Sequence, residues 1–286
     1  MRFSVVVPTY NRAKALARCL AALANQSHQS YELIVVDDGS DDETESVACS
    51  VPNVRYLRQN KKGPAAARNL GFSCACGEFV AFTDDDCILP PNWLEQLESG
   101  YMRHPEVVGV GGYMEASAEL LAASIFAQYE RYITRTVYGV GRHEVIGGFE
   151  CPAGGTNNMS YRRWVLEEIG GFDESFPFAA GEDADLKWRI CQRGYKLLYV
   201  PVKATHLQAY SWRSFTRQNI TRGKGTVRFE EKWVSRPTMA RIASRMGLRF
   251  LVFLRDLVTM DSKRIATVKF VGGVYDCLGQ IVAVMK

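Results

Sequence analysis

Short apolar runs alternate with amphipathic segments over the first hundred residues of the chain. Each run has four to six residues of strand-forming type, and the predicted strands are 3–7, 31–36, 54–57, 78–82 and 107–110. Between the runs, apolar residues recur three and four positions apart, which is typical of helices with one buried face. The predicted helices are 11–25, 41–51, 64–72 and 92–104. This alternation predicts βαβ units and therefore an α/β fold with a mostly parallel sheet covered by helices.

The second half of the chain has a different pattern, with longer amphipathic stretches. Residues 116–138 carry apolar side chains at helical spacing, which predicts one continuous helix. A charged helix is predicted to begin near Gly181 and to end at Gly194, with a strand at 195–200 after it. Beyond residue 210 the pattern is basic and helical. We therefore predict a main domain at 1–210 and a helical extension at 211–286.

Three polar clusters directly follow predicted strands, at residues 8–12, 37–40 and 84–90. Ligands of open α/β sheets bind outside the carboxyl ends of the strands, so these clusters are expected to share one crevice. The third cluster contains the adjacent carboxylates of Asp84, Asp85 and Asp86, which repel one another. A hard cation relieves that repulsion, and oxygen ligands suit Mg²⁺ or Mn²⁺. Neither a dinucleotide-binding glycine motif nor a Walker-type loop follows the first strand.

The net charge of +4 conceals an uneven distribution. Residues 1–186 hold 15 basic and 26 acidic side chains, a net −11, whereas residues 187–286 hold 20 and 5, a net +15. The basic part favours an anionic partner such as a diphosphate or an anionic lipid. Eight cysteines without zinc-type spacing and an N-terminal apolar run too short for a signal peptide favour a reduced, cytoplasmic protein.

Four motifs resemble those of family 2 glycosyltransferases with the GT-A fold. They are residues 4–12 (SVVVPTYNR), 35–40 (VVDDGS), 63–71 (GPAAARNLG) and 84–86 (DDD). The resemblance covers roughly residues 3–210 and implies a nucleotide-binding half at 1–113 and an acceptor or catalytic half at 114–210. It implies an inverting transferase that moves a sugar from a nucleotide-diphosphate donor, UDP by preference, to a hydroxyl of a saccharide or lipid-linked acceptor. The family's processive Gln-x-x-Arg-Trp signature is absent, which argues against processive synthesis.

The resemblance also implies a donor site. Its expected nucleotide contacts are Pro8, Thr9, Tyr10, Arg12, Asp38, Arg68, Asp84 and Asp85. Asp38 would accept a hydrogen bond from the uracil imide, and Asp84 would reach the ribose. Asp86 would bind Mg²⁺ or Mn²⁺, with His206 as a second contact to the metal or the diphosphate. An ion pair with a sheet-end carboxylate is the alternative role for Arg68.

The same resemblance implies the catalytic and acceptor residues. Asp183 is expected to be the general base, with Glu182 as the nearest rival. Acidic residues at a helix N-terminus are also favoured by the helix dipole alone, which is the alternative. The expected contacts to the donor sugar and the acceptor are Gly154, Gly155, Asn157 and Asn158. A tight hairpin is the alternative for this glycine-rich loop.

The extension supports several interpretations. Residues 222–225 (RGKG) are predicted to form a flexible basic loop near the diphosphate. The apolar runs 246–260 and 265–285 are interrupted by charges and fall short of the ~18–20 apolar residues of a spanning helix. They favour a helix lying on an anionic membrane at its cytoplasmic face; packing on the domain or a homodimer contact are the alternatives.

No nucleic-acid recognition motif is present. A nucleotidyltransferase and a non-catalytic sugar-nucleotide or lipid-binding module remain the rival functions.

Overall fold

The structure is a computed structural model that describes residues 2–136, 139–176 and 179–285. The strands in these ranges are β1 (Phe3–Thr9), β2 (Tyr31–Asp37), β3 (Val54–Arg58), β4 (Phe79–Phe82), β5 (Cys87–Ile88), β6 (Gly109–Ala116), β7 (Val145–Gly147), β8 (Met159–Arg162) and β9 (Leu197–His206). The helices are α1 (Ala13–Ala24), α2 (Thr44–Cys49), α3 (Pro64–Ser73), α4 (Trp93–Arg103), α5 (Ala118–Ala123), α6 (Ile125–Thr136), α7 (Arg163–Ile169), α8 (Glu182–Gln192), α9 (Trp212–Trp233), α10 (Met239–Thr259) and α11 (Lys263–Val284).

The described strands form one sheet in the order β3-β2-β1-β4-β8-β6-β9-β5, with β7 paired to β9. Strands β1, β2, β3, β4, β6 and β9 run in one direction, and β5, β7 and β8 run against them. A hydrophobic core lies on each face: Leu16 of α1 and Trp93 of α4 cover one, and Val165 of α7 and Leu186 of α8 cover the other. The predicted mixed, mostly parallel sheet flanked by helices is confirmed.

The predicted helix at 116–138 is wrong in one respect, because the structure divides it at Ser124. The backbone there is extended, with φ −122° and ψ 120°, so α5 ends. The Ser124 hydroxyl then accepts a hydrogen bond from the amide of Ala127 in the first turn of α6. A serine that accepts from the backbone in this way favours a new helix start over continuation. Residues 137–138 lie outside the described residues.

Two strands are longer than predicted and bring His206 to the sheet end. The parallel pairing of β6 with β9 begins at Gly109 opposite Leu197 and continues to Ala116 opposite His206. Strand β5, which directly follows the aspartates, pairs antiparallel with β9 through Cys87 and His206. A histidine 120 positions away in sequence therefore lies beside residues 84–86.

The basic segment 222–225 is not a flexible loop; it lies within helix α9. A Cβ at Gly223 would stand 1.9 Å from the carbonyl oxygen of Asp276, and a Cβ at Gly279 would stand 2.1 Å from that of Ile220. The glycines thus allow α9 and α11 to cross at backbone distance, which no larger residue permits. In the sequence, glycines that allow two helices to pack closely look the same as glycines that form a turn.

Among the described residues, α11 is the helix long and apolar enough to cross a membrane by length and composition. This corrects the expectation that neither C-terminal run reaches such a length. In the structure 39% of the apolar stretch is buried against the protein, and Lys269 and Asp276 on the same helix pair with Asp256 and Arg249 of α10.

Candidate active site

The three aspartates at the end of β4 meet the end of β1. Thr9 donates a hydrogen bond from Oγ1 to Oδ2 of Asp85 at 2.8 Å. The Arg12 guanidinium, just before α1, donates from Nη1 to Oδ1 of Asp85 at 3.0 Å and to Oδ2 of Asp86 at 2.7 Å. The predicted convergence of the first and third polar clusters is therefore present, and one arginine offsets two of the three carboxylates.

The pKa values of the neighbouring residues Asp85 and Asp86 are shifted in opposite directions. Burial raises the pKa of Asp85 to about 6, with Arg12 opposing the shift and Asp86 adding to it. Burial also acts on Asp86, but hydrogen bonds from His206 and Arg12 outweigh it, so the pKa of Asp86 is lowered. His206 Nε2 lies 3.3 Å from Asp86 Oδ2. Asp86 thus gives up its proton more readily than Asp85, as a metal ligand requires.

Arg68 joins the aspartates to the start of α8. It is buried in α3, and its Nη2 donates to Oδ1 of Asp84 at 3.0 Å while its Nη1 donates to Oε1 of Glu182 at 2.9 Å. Arg68 Nε and Glu182 Oε2 are buried without a hydrogen-bond partner among the described residues. The ion pair of Arg68 with a sheet-end carboxylate is therefore present. Arg68 also pairs with Glu182, which the sequence did not suggest.

The carboxylates at the N-terminus of α8 hold protons more tightly than usual. Burial raises the pKa of Glu182 to about 7, with the charge of Asp183 adding to the shift and Arg68 opposing it. Burial, assisted by Asp84, also raises the pKa of Asp183. Asp183 is half-buried, and its Oδ1 accepts from the amide of Ala184 at 2.8 Å. Among the described residues each of the two carboxylates thus has one oxygen without a hydrogen bond, but Glu182 and its free oxygen are buried, whereas Asp183 is only half-buried.

Asp38 orders the loop in front of α3. Its carboxylate accepts from Gln59 Nε2 at 2.7 Å, from the Lys62 amide at 2.8 Å and from the Gly63 amide at 2.9 Å. Gly63 has φ +95°, a conformation that favours glycine, and α3 starts directly after it. Asp38 therefore fixes the start of the helix that carries Arg68. Its contact with a uracil stays a prediction.

The remaining expected nucleotide contacts lie together at the end of β1. Pro8 and Tyr10 are half-buried there, and the Lys61 ammonium lies 3.9 Å from the centre of the Tyr10 ring. This cation–π contact brings a positive charge from the Asp38-ordered loop to an aromatic face. Lys61 was not among the expected site residues, since an exposed lysine in a loop carries no distinguishing sequence signal.

The glycine-rich loop lies beside α8, but its two asparagines have different surroundings. Asn158 is buried and donates to the carbonyl oxygens of Tyr113 and Val202, both at 3.0 Å, while it accepts from Trp93 Nε1 at 2.8 Å. These bonds tie the sheet together and leave Asn158 little capacity for a ligand. Asn157, by contrast, uses its backbone carbonyl to accept from Thr83.

Gly154 and Gly155 of the same loop lie next to Asn157. Gly154 has φ +135°, and a Cβ there would meet the Lys187 side chain at 2.7 Å. Gly155 approaches the Asn157 side chain, its Cβ position lying 3.4 Å from Oδ1. The loop therefore packs on α8, and its contact with a sugar or an acceptor stays a prediction.

Helix α9 positions α8 through a residue that sequence reasoning passed over. Asp185 is fully buried and accepts from Arg189 Nε at 2.8 Å and Trp233 Nε1 at 2.7 Å, with Lys232 Nζ also at 2.7 Å. Two of these partners lie at the end of α9, 47 and 48 positions along the chain, so no local pattern could indicate them. The extension thus forms part of the support of the candidate active site.

Comparison with known proteins agrees with this arrangement. The family model described as glycosyl transferase family 2 matches residues 4–169. The chain belongs to this family. A pre-mycofactocin glycosyltransferase of Mycobacterium tuberculosis is 30% identical over 238 residues, which are 77% of this chain and 44% of that protein. A chondroitin synthase of Escherichia coli is 31% identical over 67% of this chain and 32% of its own length. The chain thus spans less than half of the length of these two relatives.

Solved structures of other transferases share the fold. The mannosyltransferase PcManGT from Pyrobaculum calidifontis, in complex with GDP-Man and Mn²⁺, matches 98% of this chain and 87% of its own with a TM-score of 0.66 and 19% identity. TarS of S. aureus in complex with UDP matches 98% and 90% with a TM-score of 0.55 and 17% identity. These likenesses show the GT-A fold.

The family implies a divalent metal, and the residues present fit one in part. No group of three or more His, Cys, Asp or Glu side chains suited to a metal lies within the described residues. Asp86 and His206 offer an oxygen and a nitrogen ligand within 3.3 Å of each other. Mg²⁺ typically uses one or two carboxylates and completes its coordination with substrate phosphates and water, so two protein ligands suffice. Arg12 donates to the same Asp86 oxygen that lies beside His206, so it competes with a metal for that atom.

Proposed function

We propose that this family 2 protein is an inverting glycosyltransferase. It transfers a sugar from a nucleoside-diphosphate donor to a hydroxyl of a saccharide or lipid-linked acceptor, in the synthesis of a cell-surface polysaccharide or another glycan. Solved structures with the same fold hold GDP-Man in one case and UDP in another, so both bases are candidates for the donor. UDP stays our prediction from the Asp38 position.

The observation that carries the proposal is the Arg68 bridge. It holds Asp84, at the end of β4, and Glu182, at the start of α8, on one buried guanidinium. A carboxylate expected to serve the donor and the residue next to the expected base Asp183 are therefore held by one side chain. A transferase needs this juxtaposition because both substrates must meet at one carbon atom.

The mechanism uses residues beside the two ends of this bridge, Asp183 next to Glu182 and Asp86 near Asp84. The acceptor oxygen attacks the anomeric carbon from the side opposite the diphosphate, and the bond between that carbon and the diphosphate oxygen breaks with its electron pair leaving on the diphosphate. Asp183 takes the acceptor's proton on its free oxygen, and its raised pKa brings the proton affinity closer to working pH. Asp86 and His206 would hold a divalent metal, which would offset charge on the departing diphosphate.

Glu182 has a different role from Asp183. One of its oxygens is occupied by Arg68, and it is more deeply buried than Asp183. We assign it to fixing Arg68 and to setting the electrostatic environment of the base. Attack opposite the leaving group inverts the anomeric configuration, and an NMR spectrum of the first product distinguishes this from retention.

The experiment that tests the proposal uses donor binding and donor cleavage together. A thermal-shift screen of UDP- and GDP-sugars with Mn²⁺ identifies the donor, and cleavage of that donor is then followed with and without EDTA. We expect binding and an EDTA-sensitive cleavage. Binding without cleavage under any acceptor would favour a non-catalytic sugar-nucleotide module instead. Release of inorganic pyrophosphate from a nucleoside triphosphate would favour a nucleotidyltransferase, although Pro8, Thr9 and Tyr10 occupy the position where a triphosphate loop would be needed.

We further propose a peripheral contact of helix α10 with an anionic membrane surface. Leu248, Leu251 and Val258 are 62%, 63% and 82% exposed at three- to seven-residue spacings, so they share one outer face. Arg255 beside them is also exposed although it pairs with Asp256, and residues 187–286 carry a net +15. Apolar side chains next to basic ones match the interface of anionic lipids.

Vesicle sedimentation tests the membrane contact. The chain should sediment with phosphatidylserine-containing vesicles and much less with phosphatidylcholine alone. Leu251→Ser/Val258→Ser should lose this binding, whereas Met102→Ser, an equally exposed apolar residue on α4, should keep it. Equal behaviour of the two variants would contradict the proposal, and concentration-dependent association in the ultracentrifuge would point to the homodimer instead.

A further inference from the structure

A cavity of about 440 Å³ lies on the acceptor half of the sheet, outside the candidate active site. Its described lining consists of Tyr113, Arg131, Arg135, Gly141, Arg142 and Pro201. Three of the six are arginines, an unusual concentration of one charge around one cavity. Its volume falls in the range of small-molecule sites.

The arginines are arranged by their neighbours rather than by chance. Glu115 accepts from Arg135 Nη2 at 3.1 Å and lies 3.5 Å from Arg131 Nε, so it holds two of the guanidinium groups together. The Arg135 guanidinium also lies 5.3 Å from the centre of the Tyr113 ring. A carboxylate and an aromatic face thus position these side chains before any ligand arrives, which lowers the entropy lost on binding.

The charge around the cavity is not fully offset. Glu115 carries one negative charge against three arginines, and Arg142 is exposed and makes no ion pair among the described residues. Arginine presents its N–H donors in a planar fork that matches phosphate and carboxylate oxygens. The site therefore has two positive charges available for an anionic ligand.

The cavity adjoins the candidate active site. Arg131 also lines a second, narrower cavity whose described lining includes His206 and Tyr210. Because Arg131 lines both cavities, a ligand anchored on the arginines can extend towards the one that His206 lines.

We infer that this arginine-lined cavity binds an anionic group of the acceptor, a phosphate or a carboxylate, and so selects an acidic acceptor over a neutral one. The role of that ligand as an acceptor rests on the proposed transferase function. Anion binding itself does not, and it can be measured without turnover. The transferase function and the anion site can consequently fail separately.

The test is a calorimetric titration of the full chain at low ionic strength with inorganic phosphate, with glucuronate and with glucose. The variants are Arg142→Gln and Arg135→Gln/Arg142→Gln, and the matched control is Arg18→Gln, an exposed arginine on α1. Because the donor pocket also attracts phosphate, the readout is the difference between each variant and the unchanged chain. Arg142 is exposed and makes no ion pair among the described residues, so we expect Arg142→Gln to fold with unchanged stability.

We expect Arg142→Gln to weaken binding of at least one anion about tenfold and the double variant to weaken it further. Arg18→Gln should leave anion binding unchanged. Glucose binding should be the same in the unchanged chain and in every variant. Loss confined to phosphate assigns a phosphorylated acceptor, and loss confined to glucuronate assigns a uronic acid. Unchanged binding of both anions in the double variant would overturn the inference. Donor binding with Mn²⁺ should be the same in all variants, and its absence throughout would instead count against the proposed function.

Discussion

Two arginines of the candidate active site each contact two carboxylates, but their surroundings differ. Arg12 binds Asp85 and Asp86, which are adjacent in sequence, and its side chain is 42% exposed. Arg68 binds Asp84 and Glu182, which lie 98 positions apart, and its side chain is 4% exposed. The Arg12 guanidinium therefore reaches water although both of its carboxylates are buried. The Arg68 guanidinium is buried and links two parts of the fold, with Glu182 buried and Asp84 partly exposed.

The difference suggests different duties. The exposed Arg12 guanidinium can turn to water, and Asp86 keeps His206 beside it, so Arg12 is able to release Asp86 to a metal. Arg68 has no such freedom, because it is itself buried and its removal would leave the buried Glu182 without a counter-charge. Arg68 is therefore the organising residue of the site, and Arg12 is an exchangeable one. Substitutions at these arginines and their partners test this contrast.

The largest expected effect is on stability. Arg68→Met should lower the free energy of unfolding by on the order of 3 kcal/mol, because Asp84 and Glu182 lose their shared partner. The matched substitution Arg12→Met should cost less, on the order of 1 kcal/mol, because the lost guanidinium is partly exposed. Its carboxylate partners are buried, but Thr9 still donates to Asp85 and His206 still lies beside Asp86. Urea denaturation of both variants measures the two values. Equal losses would refute the distinction.

A second prediction concerns pH and Glu182. Its folded-state pKa of about 7 lies above the ordinary 4.5, so the folded protein binds this proton more tightly than the unfolded chain. The resulting stabilisation is fully present below pH 4.5 and is lost as the pH rises through about 7, by on the order of 3 kcal/mol. Glu182→Gln removes this dependence. The difference in unfolding free energy between that variant and the parent should therefore grow with pH from 4.5 to 7, and a constant difference would be evidence against a protonated Glu182.

The third prediction concerns the metal. His206→Ala should weaken Mn²⁺ binding in the presence of a nucleoside diphosphate about tenfold, because one of two protein ligands is lost. Exposed His143→Ala is the matched control. Electron paramagnetic resonance counts the free Mn²⁺ directly. If both histidine variants bind the ion alike, His206 is not a ligand.

The smallest expected effect is a tightening of Mn²⁺ binding when Arg12 is replaced. Arg12→Met removes the cation that competes for Asp86, so Mn²⁺ should bind ~3-fold more tightly than to the parent chain. The same resonance titration detects it. Weaker binding would mean that Arg12 supports the metal site rather than exchanging with it.

The sequence predicted the parts of this site that depend on local pattern. Strand–helix alternation indicated the sheet, and Asp84 to Asp86 followed an apolar run, so a polar cluster at a strand end could be expected. It did not indicate that Arg68 would reach Glu182, because that contact depends on how α8 packs against α3. Nor did it indicate Asp185 and its partners on α9, for the same reason.

Glycine was the least informative residue in the sequence. Gly63 and Gly154 have positive φ, as expected of loop glycines, whereas Gly223 sits inside a long helix where a side chain would strike Asp276 of α11. Both uses give the same letter in the chain. Only the tertiary packing distinguishes a turn from a close helix crossing, which is why residues 222–225 were predicted as a loop.

The measurement that tests the central claim most directly compares the parent chain with Asp183→Asn. Asparagine keeps the size of the side chain and its contact with the Ala184 amide but cannot accept a proton. With the donor identified in the screen, Mn²⁺ present and donor affinity measured alongside, we expect donor cleavage to fall roughly 10²–10⁴-fold while the affinity stays within about twofold. Cleavage at the parent rate would contradict Asp183 as the base and, with it, the proposed mechanism of transfer.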